Sequence, residues 1–311
     1  MYSRILVPLD GSPLGEEVLP YVRHLGLNLS LPVELLAVVE PPPASISRDL
    51  NPRLHEHETV THGTGHAQEY LSSVAEGLQA DGLSVSFETP TGAPGPLIAE
   101  AAEKDPGTLI AMGGHGRSGV SRWWLGSVAD RVLHLTSKPF MVVRSHQQDD
   151  LVHQEGFRRI VVPLDGSSIA EQVLPHVVYL ATGLDLVVDL VRVTPSKDEF
   201  HLHLPHIPGL SNLSYEDYLS HTNPEATEYL GQIKKNLRQQ GVNSVEEHLL
   251  QGDPAASIID IATATGDRLV AMTTHGRSGL GRWVLGSIAD RVVRNSGDPV
   301  LLVRVTEPPA A

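Results

Sequence analysis

The chain carries an internal duplication, and this feature limits its fold more than any other. The segment RILVPLDGS at residues 4–12 returns as RIVVPLDGS at residues 159–167, an offset of 155 (165 − 10 for the aspartate). Further along, HGRSG at residues 115–119 returns at residues 275–279, an offset of 160 (275 − 115). A period of this length is too long for a solenoid repeat, so each copy is predicted to be a whole domain.

The length of the chain agrees with two domains. At about 100–200 residues per domain, 311 residues are enough for two separate cores. We therefore predict a first domain at residues 1–146, a linker at 147–156 and a second domain at 157–305. The change of offset between the early and late motifs fits insertions in surface loops.

Within each copy, apolar strand patterns alternate with helical patterns. In the first copy, strands are predicted at residues 4–9, 33–39, 83–88, 108–112 and 140–143. One helix is predicted to begin with Ser12 as its N-cap and Pro13 as its first residue. Further helices are predicted to cover about residues 66–79, 96–104 and 127–135. Nearly continuous apolar strands are typical of a parallel sheet covered on both faces. The pattern therefore predicts a doubly wound α/β domain, present twice.

Composition excludes several classes of function. The net charge is −14 and aromatic residues make up 5% of the chain, which argues against nucleic-acid binding as the main activity. The absence of cysteine excludes disulfides, thiol catalysis and Cys-ligated metals. No apolar run is long enough to span a membrane, and the N-terminus does not resemble a signal peptide. A cytoplasmic protein without nucleic-acid or membrane partners is expected.

Two glycine-containing motifs are placed at the expected ligand-binding edge of each sheet. One is PLDGS, at the end of the first strand. The other is Gly113-x2-Gly116-x9-Gly126-Ser127, which leads into a helix. Glycines allow backbone amides to approach an anion closely, and a helix N-terminus offers unpaired N–H donors. We interpret the pair as a phosphate-binding constellation, in which Ser127 caps its own helix and binds phosphate.

These motifs resemble those of the universal stress protein family, in its tandem two-domain form. The resemblance rests on the PLDGS element, the G-x2-G-x9-G-S motif and the final strand KPFMVVR at residues 138–144, and it covers almost the whole chain. It implies two five-stranded, Rossmann-like domains. In the ATP-binding branch of the family it also implies a bound adenine nucleotide: ATP, or ADP or AMP in its place, with Mg²⁺ as a compatible metal.

The resemblance also implies the site residues. In the first copy the base would contact Pro8, Leu9, Asp10, Val38 and Met112, and the ribose and phosphates would contact Gly113, Gly116, Gly126, Ser127 and Val128. In the second copy the implied residues are Pro163, Leu164, Asp165, Val193, Met272, Gly276, Gly286, Ser287 and Ile288.

The second copy departs from the motif at one position, where Thr273 replaces the first glycine. The threonine side chain is expected to crowd the nucleotide, whereas Gly113 leaves space for it. Glycine also adopts positive φ, which would strain threonine. We therefore expect tighter ATP binding in the first copy than in the second.

Each of these residues also has an explanation in which it serves only the fold. The glycines could serve only tight turns, and Asp10 and Asp165 could cap the following helix. His115 and His275 suggest a catalytic base, but no serine or carboxylate partner can be assigned, which favours turn residues. Histidines also concentrate in two predicted long loops, at His55, His57, His62 and His66 and at His201, His203 and His206. We expect solvated side chains there, not a metal site.

Three functions are compatible with the sequence. The first is an ATP-binding stress or signalling protein that acts through nucleotide-dependent conformation or assembly. The second is a slow ATPase or a nucleotidyl or phosphoryl transferase, although no Gly-x4-Gly-Lys-[Ser/Thr] loop is present. The third is an interaction module without nucleotide. We further expect the two domains to pair through their last apolar strands as an intrachain pseudo-dimer, with a homodimer as a further expectation.

Overall fold

In the computed structural model, the chain divides into two compact units, Met1–Gln147 and Gln148–Ala311. We call them the first and the second module. The structure describes residues 1–41, 52–114, 125–143, 156–203, 214–275 and 285–305, with backbone only for 52–62 and 202–203.

The first module alternates strands and helices along the chain. Its described strands are β1 (Arg4–Pro8), β2 (Val33–Leu36), β3 (Val85–Glu88), β4 (Thr108–Gly113) and β5 (Phe140–Val143). Its described helices are α1 (Pro13–Glu16), α2 (Leu19–Leu29), α3 (Pro52–Ala80), α4 (Pro94–Glu103) and α5 (Ser127–Leu135).

The second module repeats this order with longer second and third strands. Its described strands are β6 (Arg159–Pro163), β7 (Val187–Thr194), β8 (Ser244–Gln251), β9 (Arg268–Thr273) and β10 (Val300–Val303). A 3-10 helix (Ala170–Val173) precedes the helices α6 (Leu174–Leu184), α7 (Lys197–His203), α8 (Tyr215–Gln239), α9 (Pro254–Ala262) and α10 (Ser287–Asn295). None of the helices described in either module is long and apolar enough to cross a bilayer.

Both modules contain a parallel sheet with the same topology. The strand order is β3-β2-β1-β4-β5 in the first module and β8-β7-β6-β9-β10 in the second, and the paired strands within each module run parallel. The first and fourth strands of each module form the buried centre of its sheet. The predicted doubly wound α/β fold is confirmed. The order reverses between β1 and β4, and between β6 and β9, which is where such sheets bind ligands.

The predicted helix start after β1 is confirmed. Ser12 is the N-cap of α1, its side chain accepts a hydrogen bond from the Gly15 amide, and Pro13 occupies the first turn. The helix ends after four residues, and α2 begins afresh with Pro20 in its first turn. Proline is tolerated there because first-turn amides have no intrahelical acceptor.

The prediction of a long histidine-containing loop was wrong for the first module. The backbone of His55, His57, His62 and His66 belongs to α3, which begins at Pro52 instead of near His66. Gly63 and Gly65 lie inside this helix, where a glycine costs only about 1 kcal/mol relative to alanine. A Cβ built on Gly63 would lie 3.0 Å from Val39 Cγ1, so tertiary packing favours glycine there. In the second module His201 and His203 belong to α7, and His206 lies outside the described residues.

Candidate functional site

In both modules, about half of the predicted site residues lie at the carboxyl ends of the central strands. In the first module, Pro8 ends β1, Leu9 and Asp10 follow it, and Met112 and Gly113 end β4. Val38 lies just beyond β2, and Gly126, Ser127 and Val128 form the start of α5. Gly116 and Gly276, together with His115, Arg117 and Arg277, lie outside the described residues. The topology thus brings the described members of the set to the switch point.

The aspartate of the PLDGS motif organises a turn in both modules. Asp10 Oδ1 accepts hydrogen bonds from the Ser12 amide (3.0 Å) and the Ser12 hydroxyl (2.6 Å). Asp165 Oδ1 accepts the same two bonds from Ser167, at 2.9 and 2.6 Å. The intervening glycines have φ of 76° at Gly11 and 82° at Gly166, a region that favours glycine. The serine caps the helix, and the aspartate fixes the serine.

The helices α5 and α10 begin without a side-chain cap. The N-cap residue is Gly126 in one module and Gly286 in the other, and neither start has a side-chain capping bond. Ser127 is therefore the first helical residue, and the prediction that its hydroxyl caps α5 was wrong. Each N-cap amide donates to the residue that follows the preceding strand, Gly126 to Gly114 O (2.6 Å) and Gly286 to Thr274 O (2.8 Å). The next three amides of each helix have no intrahelical acceptor and can bind an anion.

A cavity of about 300 Å³ lies at the switch point of the second module. Eight of the nine residues predicted for this module line the cavity, and the ninth, Gly276, lies outside the described residues. The eight are Pro163, Leu164, Asp165, Val193, Met272, Gly286, Ser287 and Ile288. The sequence analysis did not assign seven further lining residues to this site: Ala170, Val191, Pro254, Ile258, Thr274, His275 and Ala289. Thr273, which it placed at the first-glycine position of the motif, lines the cavity as well. Pro254 and Ile258 belong to α9, and no local signal in the sequence connects that helix with the switch point.

The structure gives Gly113 and Thr273 roles that differ from the predicted ones. The φ of Gly113 lies outside the left-handed region. A Cβ added to Gly113 would lie 2.6 Å from Leu14 O and 3.0 Å from Gly15 Cα, so the missing side chain serves the packing of α1 against β4. Thr273 lines the cavity without closing it, and its hydroxyl donates to His275 O at 2.7 Å. The positive φ expected of Gly113 was therefore wrong, and the difference in ATP affinity between the modules stays a prediction.

A charged cluster that the sequence analysis missed lies away from the cavity in the second module. The ligand atoms of Asp189, Glu246 and His248 lie within 4.8 Å of one another, a spacing compatible with a metal ion. Arg159 already fills this position, because its guanidinium donates to both Asp189 oxygens (2.7 and 2.5 Å) and to Glu246 (2.6 Å). Burial alone would raise the pKa of Asp189, but the bonds from Arg159 and His248 lower it below its ordinary value. The cluster is therefore a structural ion network.

Comparison with known proteins gives consistent results. The sequence profile of the Universal stress protein family matches residues 1–144 and 156–304. A universal stress protein of Methanocaldococcus jannaschii is 30% identical over 148 residues, which cover 48% of this chain and 82% of that protein. One of Mycolicibacterium smegmatis is 23% identical over 307 residues, 96% of each chain. Among solved structures, a universal stress protein from Archaeoglobus fulgidus has a TM-score of 0.69 at 21% identity, with 98% of this chain and 99% of that chain covered.

Proposed function

Because this chain belongs to the universal stress protein family, we propose that its modules bind adenine nucleotides, with ATP as the first candidate. The bound nucleotide would set the conformation or assembly through which the protein acts in a stress response. The observation that carries the proposal is the cavity of the second module, which is lined by eight of the residues that the family resemblance implies.

One part of the cavity suits an aromatic base. Val191, Val193 and Met272 supply apolar surface at the ends of β7 and β9. Ile288 also lines the cavity, and it is 39% exposed. A large apolar side chain exposed at a cavity wall gains free energy when a ligand covers it. We assign the adenine ring to this apolar part.

The remaining part of the cavity suits a ribose and phosphates. Asp165 presents a carboxylate at the end of β6, where it can accept hydrogen bonds from sugar hydroxyls. At the start of α10, the unpaired amides of Ser287, Ile288 and Ala289 offer donors and a positive helix end to the phosphates. The cavity volume of about 300 Å³ lies at the lower end of the range for small-molecule sites.

The same elements are present in the first module. Asp10 follows β1, and α5 begins at an uncapped Gly126. We therefore propose one nucleotide per module. If Mg²⁺ accompanies the nucleotide, Asp10 and Asp165 are the described carboxylates placed to serve as oxygen ligands near it.

Native mass spectrometry of the full chain tests this proposal. The protein would be measured as purified and after addition of ATP with Mg²⁺, and the released ligand would be identified after denaturation. We expect two adenine nucleotides per chain, and the native masses also test the expected homodimer. A chain that carries no nucleotide, and that shows no ATP binding in calorimetry, would contradict the proposal. Steady-state phosphate release from the ATP-loaded chain would separate a binding protein from a slow ATPase.

A further inference from the structure

His275 lies beside the start of α10, where the phosphates are proposed to bind. It lies two residues beyond the end of β9 and lines the cavity together with Gly286 and Ser287. A Cβ built on Gly286 would lie 3.6 Å from His275 Cα, which shows how closely the two backbones approach. The imidazole is therefore attached at the anion-binding end of the cavity.

A neighbouring hydroxyl fixes one nitrogen of this imidazole. Nδ1 of His275 lies 3.2 Å from Thr274 Oγ1, and Thr274 is 6% exposed. Among the described residues, Thr274 is the side-chain hydrogen-bond partner of His275, and this bond uses Nδ1. The other ring nitrogen, Nε2, therefore remains available to a ligand. The first module has Gly114 at the position of Thr274, so its His115 lacks this neighbouring hydroxyl.

The other charges around the cavity are few. Asp165 lines it from the end of β6, and one of its oxygens already accepts two bonds from Ser167. Beside Pro254, Asp253 at the start of α9 pairs with Arg291 of α10 at 2.7 Å. The cavity-lining residues of β7, α9 and α10 are uncharged. Among the described side chains that line the cavity, His275 is therefore the one that can become positively charged.

We propose that His275 is a phosphate-binding residue of the second module, and that Thr274 is a positioning residue that orients its imidazole. A protonated imidazole donates a charge-assisted hydrogen bond to a phosphate oxygen, whereas a neutral imidazole donates a weaker, uncharged one. The second module would therefore bind phosphorylated ligands more tightly as the pH falls. The inference rests on the proposed nucleotide-binding function.

Calorimetry on the full chain can isolate the second module. Gly126→Asp places a carboxylate at the phosphate end of the first site and silences it, while aspartate remains a favourable N-cap residue for α5. In this background, His275→Gln would be compared with the parent chain for ATP and for adenosine at about pH 6 and pH 8. Comparison at each pH cancels the titration of the ATP phosphates. His115→Gln is the matched control, because it changes the equivalent residue of the silenced module.

We expect His275→Gln to weaken ATP binding about five- to tenfold at pH 6 and much less at pH 8, as the loss of a charge-assisted bond predicts. Adenosine binding and the His115→Gln control should not change. Thr274→Ser should retain the pH dependence of the parent chain, and Thr274→Gly should lose most of it. An equal loss at both pH values, or no loss, would overturn the role of His275 alone. Absence of ATP binding in the parent chain at every pH would overturn both this role and the proposed function of the second module.

Discussion

The two modules share their motifs, yet they pack the switch point differently. In the first, Leu14 and Gly15 of α1 approach Gly113 so closely that no side chain fits. In the second, a 3-10 helix that begins at Ala170 replaces α1, and the buried Thr273 occupies the glycine position. A motif glycine can therefore be required by the neighbouring helix instead of by the ligand.

A second difference lies at the amino end of the last strand, where Asp298 in the second module replaces Lys138 of the first (138 + 160). Lys138 pairs with Glu103 at 3.2 Å. Asp298 is 5% exposed, and its Oδ2 has no hydrogen-bond partner in the described structure. The first module thus has an ion pair at this position, whereas the second buries the Asp298 carboxyl group with Oδ2 unpaired in the described structure.

The largest expected effect follows from Asp298. Burial raises its pKa to about 7, Arg268 opposes the rise and Asp267 adds to it. Because the folded pKa lies above the unfolded one, stability is greatest at low pH and falls as the pH rises from about 4 to about 7. The difference from the ordinary value corresponds to about 4 kcal/mol. Asp298→Asn should remove this loss, so the variant should be more stable than the parent at pH 8 and similar to it near pH 4.

Urea unfolding of both proteins across this pH range measures the effect. Lys138→Met is the matched control in the first module and should change stability by the same amount at pH 5 and pH 8. A stability difference between Asp298→Asn and the parent that is equal at all pH values would refute the buried-carboxyl explanation.

The exchange of Gly113 and Thr273 tests the packing difference directly. Gly113→Thr should destabilise the first module by about 3 kcal/mol, because the new side chain meets the α1 backbone, which cannot move as a flexible side chain can. Thr273→Gly should cost the second module only about 1 kcal/mol, through backbone entropy and a lost hydrogen bond. Thermal unfolding gives both values. Similar losses from the two changes would mean that the modules pack this position alike.

Paired substitutions at the helix starts compare the two proposed ligand sites. Gly126→Asp and Gly286→Asp each place a carboxylate where phosphates are proposed to bind. Each should weaken ATP binding at its own site by about tenfold to a hundredfold, since like charges at a close-range anion site repel. Because Thr273 does not close its cavity, we expect binding at both sites in the parent chain. Calorimetry that detects one site only, lost with Gly126→Asp and kept with Gly286→Asp, would restore the stronger asymmetry expected from the sequence.

The smallest expected effect on stability is at the N-cap of the helix before the fourth strand of each module, α4 before β4 and α9 before β9. Asp253 caps α9 by accepting a bond from the Ala256 amide (2.8 Å) and pairs with Arg291. The first module has an uncapped Ala93 at this position. Asp253→Ala should cost about 1 kcal/mol, and Ala93→Asp should stabilise the first module by up to about 1 kcal/mol. Chemical denaturation measures both, and a loss of stability in Ala93→Asp would show that the two helix starts are not equivalent.

The sequence by itself determined the fold class and most of the described candidate site. Strand periodicity, the Ser12-Pro13 helix start and the repeated glycines are local signals, and they act over a few residues wherever the chain is placed. For this reason the ends of β1 and β4 were predicted to within about one residue. The eight cavity residues were implied by the resemblance to the universal stress protein family. Parallel topology explains why those at strand ends meet at one edge of the sheet.

Only the tertiary structure decided the features that depend on contacts between distant segments. The approach of Gly63 to Val39, the approach of α1 to Gly113 and the place of α9 at the cavity wall are features of this kind. The Arg159 network joins three strands, and its partner His248 lies 89 positions further along the chain (248 − 159). Burial and close approach are properties of the packed chain, because the free energy of a buried charge or a missing Cβ depends on atoms that are remote in sequence.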